Sequence, residues 1–532
     1  MMHPRSRTRS LLIAFGLLAV LLLGGCAGVL PKVDRVPTRA QVAPPDSPLA
    51  SIARDARVAA DESGFWPLVQ AGFALDARLA LIEQATTSID LQYYLIADDS
   101  TGHAILRALR DAARRGVRVR LIVDDLYTGG LDTLLMGLAA EPNAHVQLFN
   151  PFITARDSST RRLIAMALNF KRLNHRMHNK LFIVDGSVAV IGGRNLADEY
   201  FLRGQQANFI DFDLLAVGTL VSELNGWFDL YWNSEQVYPI RDVVRASQSV
   251  VFTPDELRDE FERRTSVTQP SPPPPTEADL FGAPPLRSAL AQRRFRLVHA
   301  AESHAYADSP RKIDPANNSI ATSDTLAHRF LLRLDEAQEN VLMISPYFIP
   351  GTEALARLKA LSDRDVEVRV VTNSLAVSDE PLVSLGLEKH QMELLRSGVK
   401  LYELSSTRLK LDHTFRNLLG SSTGRLHAKL AFLDRRTVLV GSMNLDPRSS
   451  NINTEIGAMV QSRELAEMVL SAFRVDTLTG VYEVKLTPDG SGVRWLAVDG
   501  DANVEVDIDP DTNVWQRLRL MLMYLLVPEG QL

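Results

Sequence analysis

"HNKLFIVDGSVAVIGGRN" (residues 178–195) opens an apolar run with a histidine and a lysine. A run such as Leu181, Phe182, Ile183 and Val184 reads as a buried strand, and residues two apart on a strand share a face. His178 and Lys180 therefore aim at one side, while Asp185 falls on the other and, with Gly186, reads as a turn residue. "HAKLAFLDRRTVLVGSMN" (427–444) repeats the pattern, with His427, Lys429 and Asp434 at the same parity. Each copy then reaches small residues, expected to bind substrate by letting the backbone approach it closely, and an asparagine as amide donor: Gly193 and Asn195 in "IGGRN" (191–195), Ser442 and Asn444 in "VGSMN" (440–444).

The flanking sequence repeats as well. "SIDLQYYLI" (88–96) reads as a strand, 102–116 as a helix and "VRVRLIVDD" (117–125) as a buried strand. "ENVLMISPYFIP" (339–350), 354–364 and "VEVRVVTNS" (366–374) follow the same order, and "VQLFNP" (146–151) returns as "VKLYEL" (399–404). Val117 and Val366, His178 and His427, Gly192 and Gly441, and Asn195 and Asn444 are all 249 residues apart. A repeat of that length is a duplicated domain, since solenoid units run to about 20–50 residues. The expected fold is α/β: two tandem duplicated domains related by a pseudo-twofold, each a mixed, mostly parallel sheet flanked by helices. The first domain is placed at 61–265 and the second at 317–476. Residues 266–316, with "TQPSPPPPTEADLFGAPP" (268–285), read as a proline-rich linker or insertion. Residues 477–532 read as a hairpin turning at Asp489-Gly490, then a helix over 514–527 that either caps the core or lies against membrane.

Arg5, Arg7 and Arg9 precede an apolar stretch from Leu11 to Leu23 and then Gly24, Gly25 and Cys26. This is the layout of a signal peptide (1–25), and "LGGC" resembles a bacterial lipobox with Cys26 as the lipidated residue. The other reading, an uncleaved anchor, is short for a span that needs about 20 residues. Residues 26–60, with Pro31, Pro37, Pro44, Pro45 and Pro48, read as a tether. The expected location is the cell envelope, lipid-anchored and facing the periplasm, with Ala27 a weak pointer to the outer membrane. Cys26 is the only cysteine, which excludes an intrachain disulfide and a cysteine-based zinc site. A net charge of −6 provides no field for a polyanion, so no nucleic-acid partner is expected.

Packed about a pseudo-twofold, the two copies would gather two histidines, two lysines and two asparagines. Cationic and amide donors of this kind suit the oxygens of one phosphoryl group. One histidine would attack phosphorus while the other protonates the leaving alkoxide, tasks that suit a pKa near neutrality. A lysine beside each histidine would repel a divalent cation, so no metal is expected.

H-x-K-x(4)-D-x(6)-G-G/S-x-N, present twice, resembles the phospholipase D superfamily with its two HKD motifs, over roughly residues 60 to 475. The resemblance implies a phosphohistidine intermediate, no metal or other cofactor, and one active site between the halves. It implies His178 as nucleophile and His427 as acid/base, in an order the sequence alone leaves open. It also implies a carboxylate orienting each histidine: Glu455 in "NINTEIGAMV" for the second half, and Asp211 in "FIDFDLLAVG" for the first, with Asp213 as the other candidate. Gly193 departs from the pattern, because Ser442 brings a hydroxyl on the other side. "SGFWPLVQAGFALDARLALIEQATTSIDLQYYLI", "RMHNK", "IGGRNLADEYF", "FDLYWNS" and "SPYFIPG" are similar to bacterial cardiolipin synthases of the C-type branch. That branch implies phosphatidyl transfer to phosphatidylglycerol in a bilayer, with phosphatidylethanolamine a further donor candidate. A-type synthases carry two N-terminal transmembrane helices, where this chain has the lipobox-like segment. A hydrolytic phospholipase D, a nuclease and a non-catalytic lipid-binding lipoprotein are the alternatives.

Overall fold

The computed structural model describes residues 30–531 except 155, 158, 248–251, 267–274, 315–324, 412, 474–479, 500–501, 513 and 525–528. The signal peptide and Cys26 lie outside the described residues. In chain order the first half contributes β1 (Ser63–Leu68), β2 (Ser88–Tyr93), β3 (Arg118–Asp124), β4 (Ala144–Phe149), β5 (Lys180–Val184), β6 (Val188–Gly192), β7 (Ala207–Ile210), β8 (Asp213–Gly218) and β9 (Val237–Pro239). The connection adds β10 (Val298–Ala300) and β11 (Glu302–Ala307). The second half holds β12 (Asn340–Ile344), β13 (Glu367–Asn373), β14 (Lys400–Leu404), β15 (Thr423–Leu426), β16 (Leu430–Leu433), β17 (Thr437–Gly441) and β18 (Ile456–Gln461). The C-terminal region contributes β19 (Val481–Leu486), β20 (Val493–Asp499) and β21 (Ala502–Val506).

Two large sheets result, ordered β10-β1-β8-β6-β5-β2-β3-β4-β9 and β11-β18-β17-β16-β12-β13-β14-β19-β20-β21. The central six strands follow one order in both, which is the duplication expressed as topology. The sheets are mixed, yet parallel pairing is confined to β2-β3-β4 and β12-β13-β14, so "mostly parallel" is corrected. The reason is local. The motif strands turn back on themselves within a few residues, and tight turns make antiparallel neighbours. One apolar core joins the inner faces of the two sheets, with Leu181, Ile183 and Leu214 meeting Leu342, Phe432 and Val440 in one cluster.

Two expected connectors are built structure instead. From Arg35 onward the presumed tether packs on the first half: Arg35 donates to the carbonyls of Ser234, Glu235 and Val237, and Leu49 and Ile52 are buried in the core. Prolines that suggested a spacer here shape a strap. Within 266–316, helix Leu286–Gln292 packs on helix Ala71–Gln84, and β10 and β11 pair antiparallel with β1 and β18. The connection thus stitches the edge of one sheet to the edge of the other. At the C-terminus, the hairpin turns where Gly490 has φ 68°.

Asp185 and Asp434 stand at turns in the left-handed region, φ 54° and 52°. Asp185 accepts from the backbone N–H groups of Thr86 (3.0 Å), Thr87 (2.7 Å) and Ser88 (3.1 Å). Asp434 accepts from those of Gln338 (3.0 Å), Glu339 (2.7 Å) and Asn340 (3.0 Å). Each carboxylate braces the start of the first central strand, β2 or β12. Asp434→Asn should therefore lower the unfolding free energy by about 1–3 kcal/mol in a denaturant titration. The folded fraction should keep its turnover; selective loss of turnover at full stability would refute the bracing role.

Candidate active site

The chain approaches His178 along a buried ion pair. Arg176 lies against Asp124 (2.8 Å), and the Met177 N–H donates to the same carboxylate (2.8 Å). His178 then crosses to the other half: its N–H donates to the Thr454 carbonyl (2.9 Å), and the Thr454 N–H donates to the Arg176 carbonyl (3.0 Å). The second motif mirrors this. β15 pairs in parallel with β7 of the first half, and the His427 N–H donates to the Ile210 carbonyl (2.8 Å).

In both cases the residue after the accepting carbonyl is a carboxylate. Glu455 follows Thr454 and lies 3.0 Å from His178 Nδ1; Asp211 follows Ile210 and lies 2.7 Å from His427 Nδ1. The orienting carboxylate of each half therefore serves the histidine of the other. Nδ1 faces a carboxylate in both rings, so Nε2 is the atom turned to chemistry, and at His427 it lies 3.2 Å from Lys429 Nζ. Asp213 is elsewhere, buried between Arg78 (2.9 Å) and Arg194 (3.1 Å).

Gly193 now has a physical reason: a side chain there would collide with the Asp211 carboxylate. At the matching place the Ser442 hydroxyl donates to Glu455 and accepts from the Ile456 N–H (3.0 Å). Lys180 Nζ donates to the His178 carbonyl (2.7 Å), and Lys429 Nζ to the His427 carbonyl (2.6 Å). Asn195 donates to the Tyr200 hydroxyl (2.8 Å), so the amide donor expected from it is engaged within the protein. The side-chain carbonyl oxygens of Asn195 and Asn444 are buried without a partner. Tyr94 meets His178 edge-on and Tyr200 meets His427 edge-on, both at 4.9 Å between centroids. Sequence reasoning missed these two tyrosines, together with Arg176 and Asp124; "RMHNK" and "VDD" were visible, but nothing in them tied Arg176 to Asp124.

Electrostatically the two halves differ. Burial holds the His178 imidazole well below its usual pKa, helped by Lys180 and Lys429. Burial also lowers His427, with Lys429 adding to it; Asp211 offsets part of this and the imidazole stays below its usual pKa. Burial pushes Glu455 up to about 7. Burial opposes ionisation of Asp211 too, yet His427 and Lys429 outweigh it and hold that carboxyl low. Asp211 is thus held ionised, whereas Glu455 titrates near neutrality. Burial brings Lys180 down to about 7, with Lys429 adding repulsion, and brings Lys429 down to about 8. Among the described residues no group of three or more histidine, cysteine or acidic side chains could hold a metal ion.

A family model described as "Cardiolipin synthase, PLD-like domain" matches the chain twice, over residues 79–232 and 330–477. The chain belongs to that family. "Cardiolipin synthase C" of Escherichia coli (strain K12) is 33% identical over 471 residues, 88% of this chain and 96% of that protein. "Cardiolipin synthase 1" of Staphylococcus aureus (strain MRSA252) is 26% identical over 75% of this chain and 64% of its own. A solved phosphatidylserine synthase of Haemophilus influenzae Rd KW20 shares the fold at a TM-score of 0.50 and 12% identity, covering 82% of this chain and 91% of that one. The resemblance drawn from the duplicated motif is thereby borne out. Membership of this family makes the chain an enzyme of the phosphatidyltransferase class.

The lysines give this cardiolipin synthase relative a pH signature. An ammonium suits phosphoryl oxygens only in its charged form, and these two lose the proton as pH rises through about 7 (Lys180) and about 8 (Lys429). kcat/KM should fall on the alkaline side of that window in a steady-state pH profile. A profile flat to pH 10 would show that neither ammonium is needed.

Proposed function

We propose that the protein makes cardiolipin from phosphatidylglycerol through a phosphatidyl-histidine on His178. The observation that carries this reading is the unequal pair of histidine–carboxylate contacts. A nucleophile must be neutral, and His178 is the imidazole that burial and two lysines keep unprotonated. A general acid/base must take up and release a proton, and His427 is the imidazole whose lowered basicity an ionised Asp211 partly restores. His178 Nε2 attacks phosphorus, the P–O bond to the head-group glycerol breaks, and His427 gives that oxygen its proton. The glycerol hydroxyl of a second phosphatidylglycerol then passes its proton to His427, attacks phosphorus and breaks the P–N bond. Lys180 and Lys429 hold the phosphoryl oxygens through both steps, with Asn195 and Asn444 beside them. Glu455 and Asp211 fix the rings, and Gly193 and Ser442 make room for, or hold, those carboxylates. Asp185 and Asp434 act only on the frame. Phosphatidylethanolamine fits the same scheme as donor, with ethanolamine leaving.

The same reading takes the bilayer as the partner. Helix Val514–Tyr524 turns Tyr524 onto Ile349 and Val383 but leaves Trp515 79% exposed, with Leu518, Met521 and Leu522 on its open side. Ile164, Leu168 and Phe170, shortly before His178, are exposed as well. Neither 159–176 nor 514–524 contains an acidic residue, and both carry arginines, a composition suited to an anionic lipid surface. Among the described residues no helix is long and apolar enough to cross a membrane. Attachment through a lipidated Cys26 at the periplasmic side of the envelope remains part of this proposal.

Purified protein given phosphatidylglycerol vesicles in the presence of a chelator should release glycerol and form cardiolipin. His178→Ala or His427→Ala should each reduce the rate by roughly 100-fold or more. Phosphatidic acid as the main product would favour the hydrolytic reading, and dependence on a divalent ion would overturn the mechanism. Leu518→Asp with Leu522→Asp should lower the fraction that co-sediments with anionic vesicles; undiminished sedimentation would remove that helix from the membrane contact.

A further inference from the structure

The two halves differ in how they fill the space behind the motif. In the first, Arg78, Asp213 and Arg194 form a buried ion triad there, with Arg78 over the Phe201 ring at 5.6 Å. Strand register identifies the second-half counterparts. Gly192 pairs with Asp213, and Gly441 pairs with Gly457, so Gly457 replaces Asp213. Met443 stands two residues after Gly441 as Arg194 does after Gly192, and Phe330 precedes its strand by the same distance as Arg78. Charge–charge contacts have become Phe330, Met443 and a glycine with no side chain.

A second substitution opens the space further. Asp198 in the first half accepts from the Ser100 hydroxyl (2.8 Å), the Thr101 N–H (2.9 Å) and the Thr101 hydroxyl (2.7 Å), lacing the post-motif turn to the start of helix Ser100–Arg114. Pro447 occupies the corresponding position and cannot make those bonds. The second half accordingly contains a cavity of about 350 Å³, lined by Phe330, Leu331, Met343 and Phe348 at its apolar end and reaching Asn444 and Asp446 at its polar end. At the first-half counterparts of Phe330 and Met443 the triad occupies the space, and the cavity that borders Leu75, Leu79 and Phe201 there is ringed by Glu83, Arg107, Asp111, Arg115 and Arg287 instead of apolar walls.

We propose that this cavity holds a fatty acyl chain of the acceptor phospholipid, a subsite that rests on the transferase reading above. Its apolar walls suit a hydrocarbon chain, and its polar end reaches the asparagine beside the phosphoryl site. The choice of acceptor follows from the side on which it lies. His178 attacks from the first half, so the exchanged alcohols leave and enter on the side of His427, the half that owns the cavity. The leaving glycerol has no acyl chain, whereas the incoming lipid alcohol does. A tail held there favours lipid over water as acceptor.

The experiment offers two acceptors to one phosphatidyl-enzyme. Phosphatidylglycerol vesicles with added ethanol yield cardiolipin and phosphatidylethanol, and the ratio of the two is measured for the unmodified protein and for Ala327→Phe, whose new ring fills the cavity. The ratio should fall by roughly tenfold, the equivalent of about two methylene groups losing their burial. An unchanged ratio overturns the proposal: with both rates kept the cavity binds no substrate chain, and with both lowered together it serves the donor or the scaffold. If Ala327→Phe yields neither product, Ala354→Phe on the opposite wall decides by the same ratio. Failure of the unmodified protein to form either phosphatidyl product would instead overturn the reading on which the subsite rests.

Discussion

Glu455 against His178 and Asp211 against His427 are contacts that cannot form within one half of the chain. Both are buried, and a buried carboxylate or imidazolium is tolerated only when its partner is in place. The two halves therefore have to dock before either histidine has its ring fixed. The docking is enforced by backbone hydrogen bonds one residue before each carboxylate, from His178 to Thr454 and from His427 to Ile210. Register at those two points sets the whole site, because sliding either strand would carry its carboxylate to the other face.

On this symmetrical frame the halves have diverged in chemistry. Asp211 is short, needs Gly193 to make room and stays ionised. Glu455 is longer, receives hydroxyl hydrogen bonds from Ser442 and Ser449, and is pushed by burial toward its neutral form. One frame thus yields an imidazole held well below its usual pKa and a second whose fall an ionised carboxylate partly offsets, a difference that suits a two-step displacement. The same divergence extends outward: Arg78, Asp213 and Arg194 stand behind the first motif where the second half has Phe330, Gly457 and Met443 beside an apolar cavity.

Much of this was legible in the sequence, because strand parity and a constant offset are local properties. They placed His178, Lys180, His427 and Lys429 on shared faces and assigned Asp185 and Asp434 to turns. Asp211 was distinguishable from Asp213 only as a preference. The crossing was not legible, since the carboxylate partners lie 277 and 216 residues from their histidines. Gly193 looked like a lost hydroxyl contact, although it is the space that Asp211 occupies. The proline-bearing segment before residue 60 and the connection near residue 300 looked like spacers because local composition is silent about what a segment packs against. Parallel pairing was overestimated for a related reason: strand–helix–strand units were evident, while the turns at Asp185 and Asp434 did not show how many antiparallel neighbours would extend each sheet.

The most direct test is to locate the covalent phosphorus. Protein mixed with phosphatidylglycerol labelled in its phosphate, quenched and digested at alkaline pH, and analysed by mass spectrometry should carry the phosphatidyl group on the peptide containing His178. His427→Ala should lengthen the life of that adduct without moving it. Label on His427 in the unmodified protein would contradict the assignment that the unequal carboxylates support.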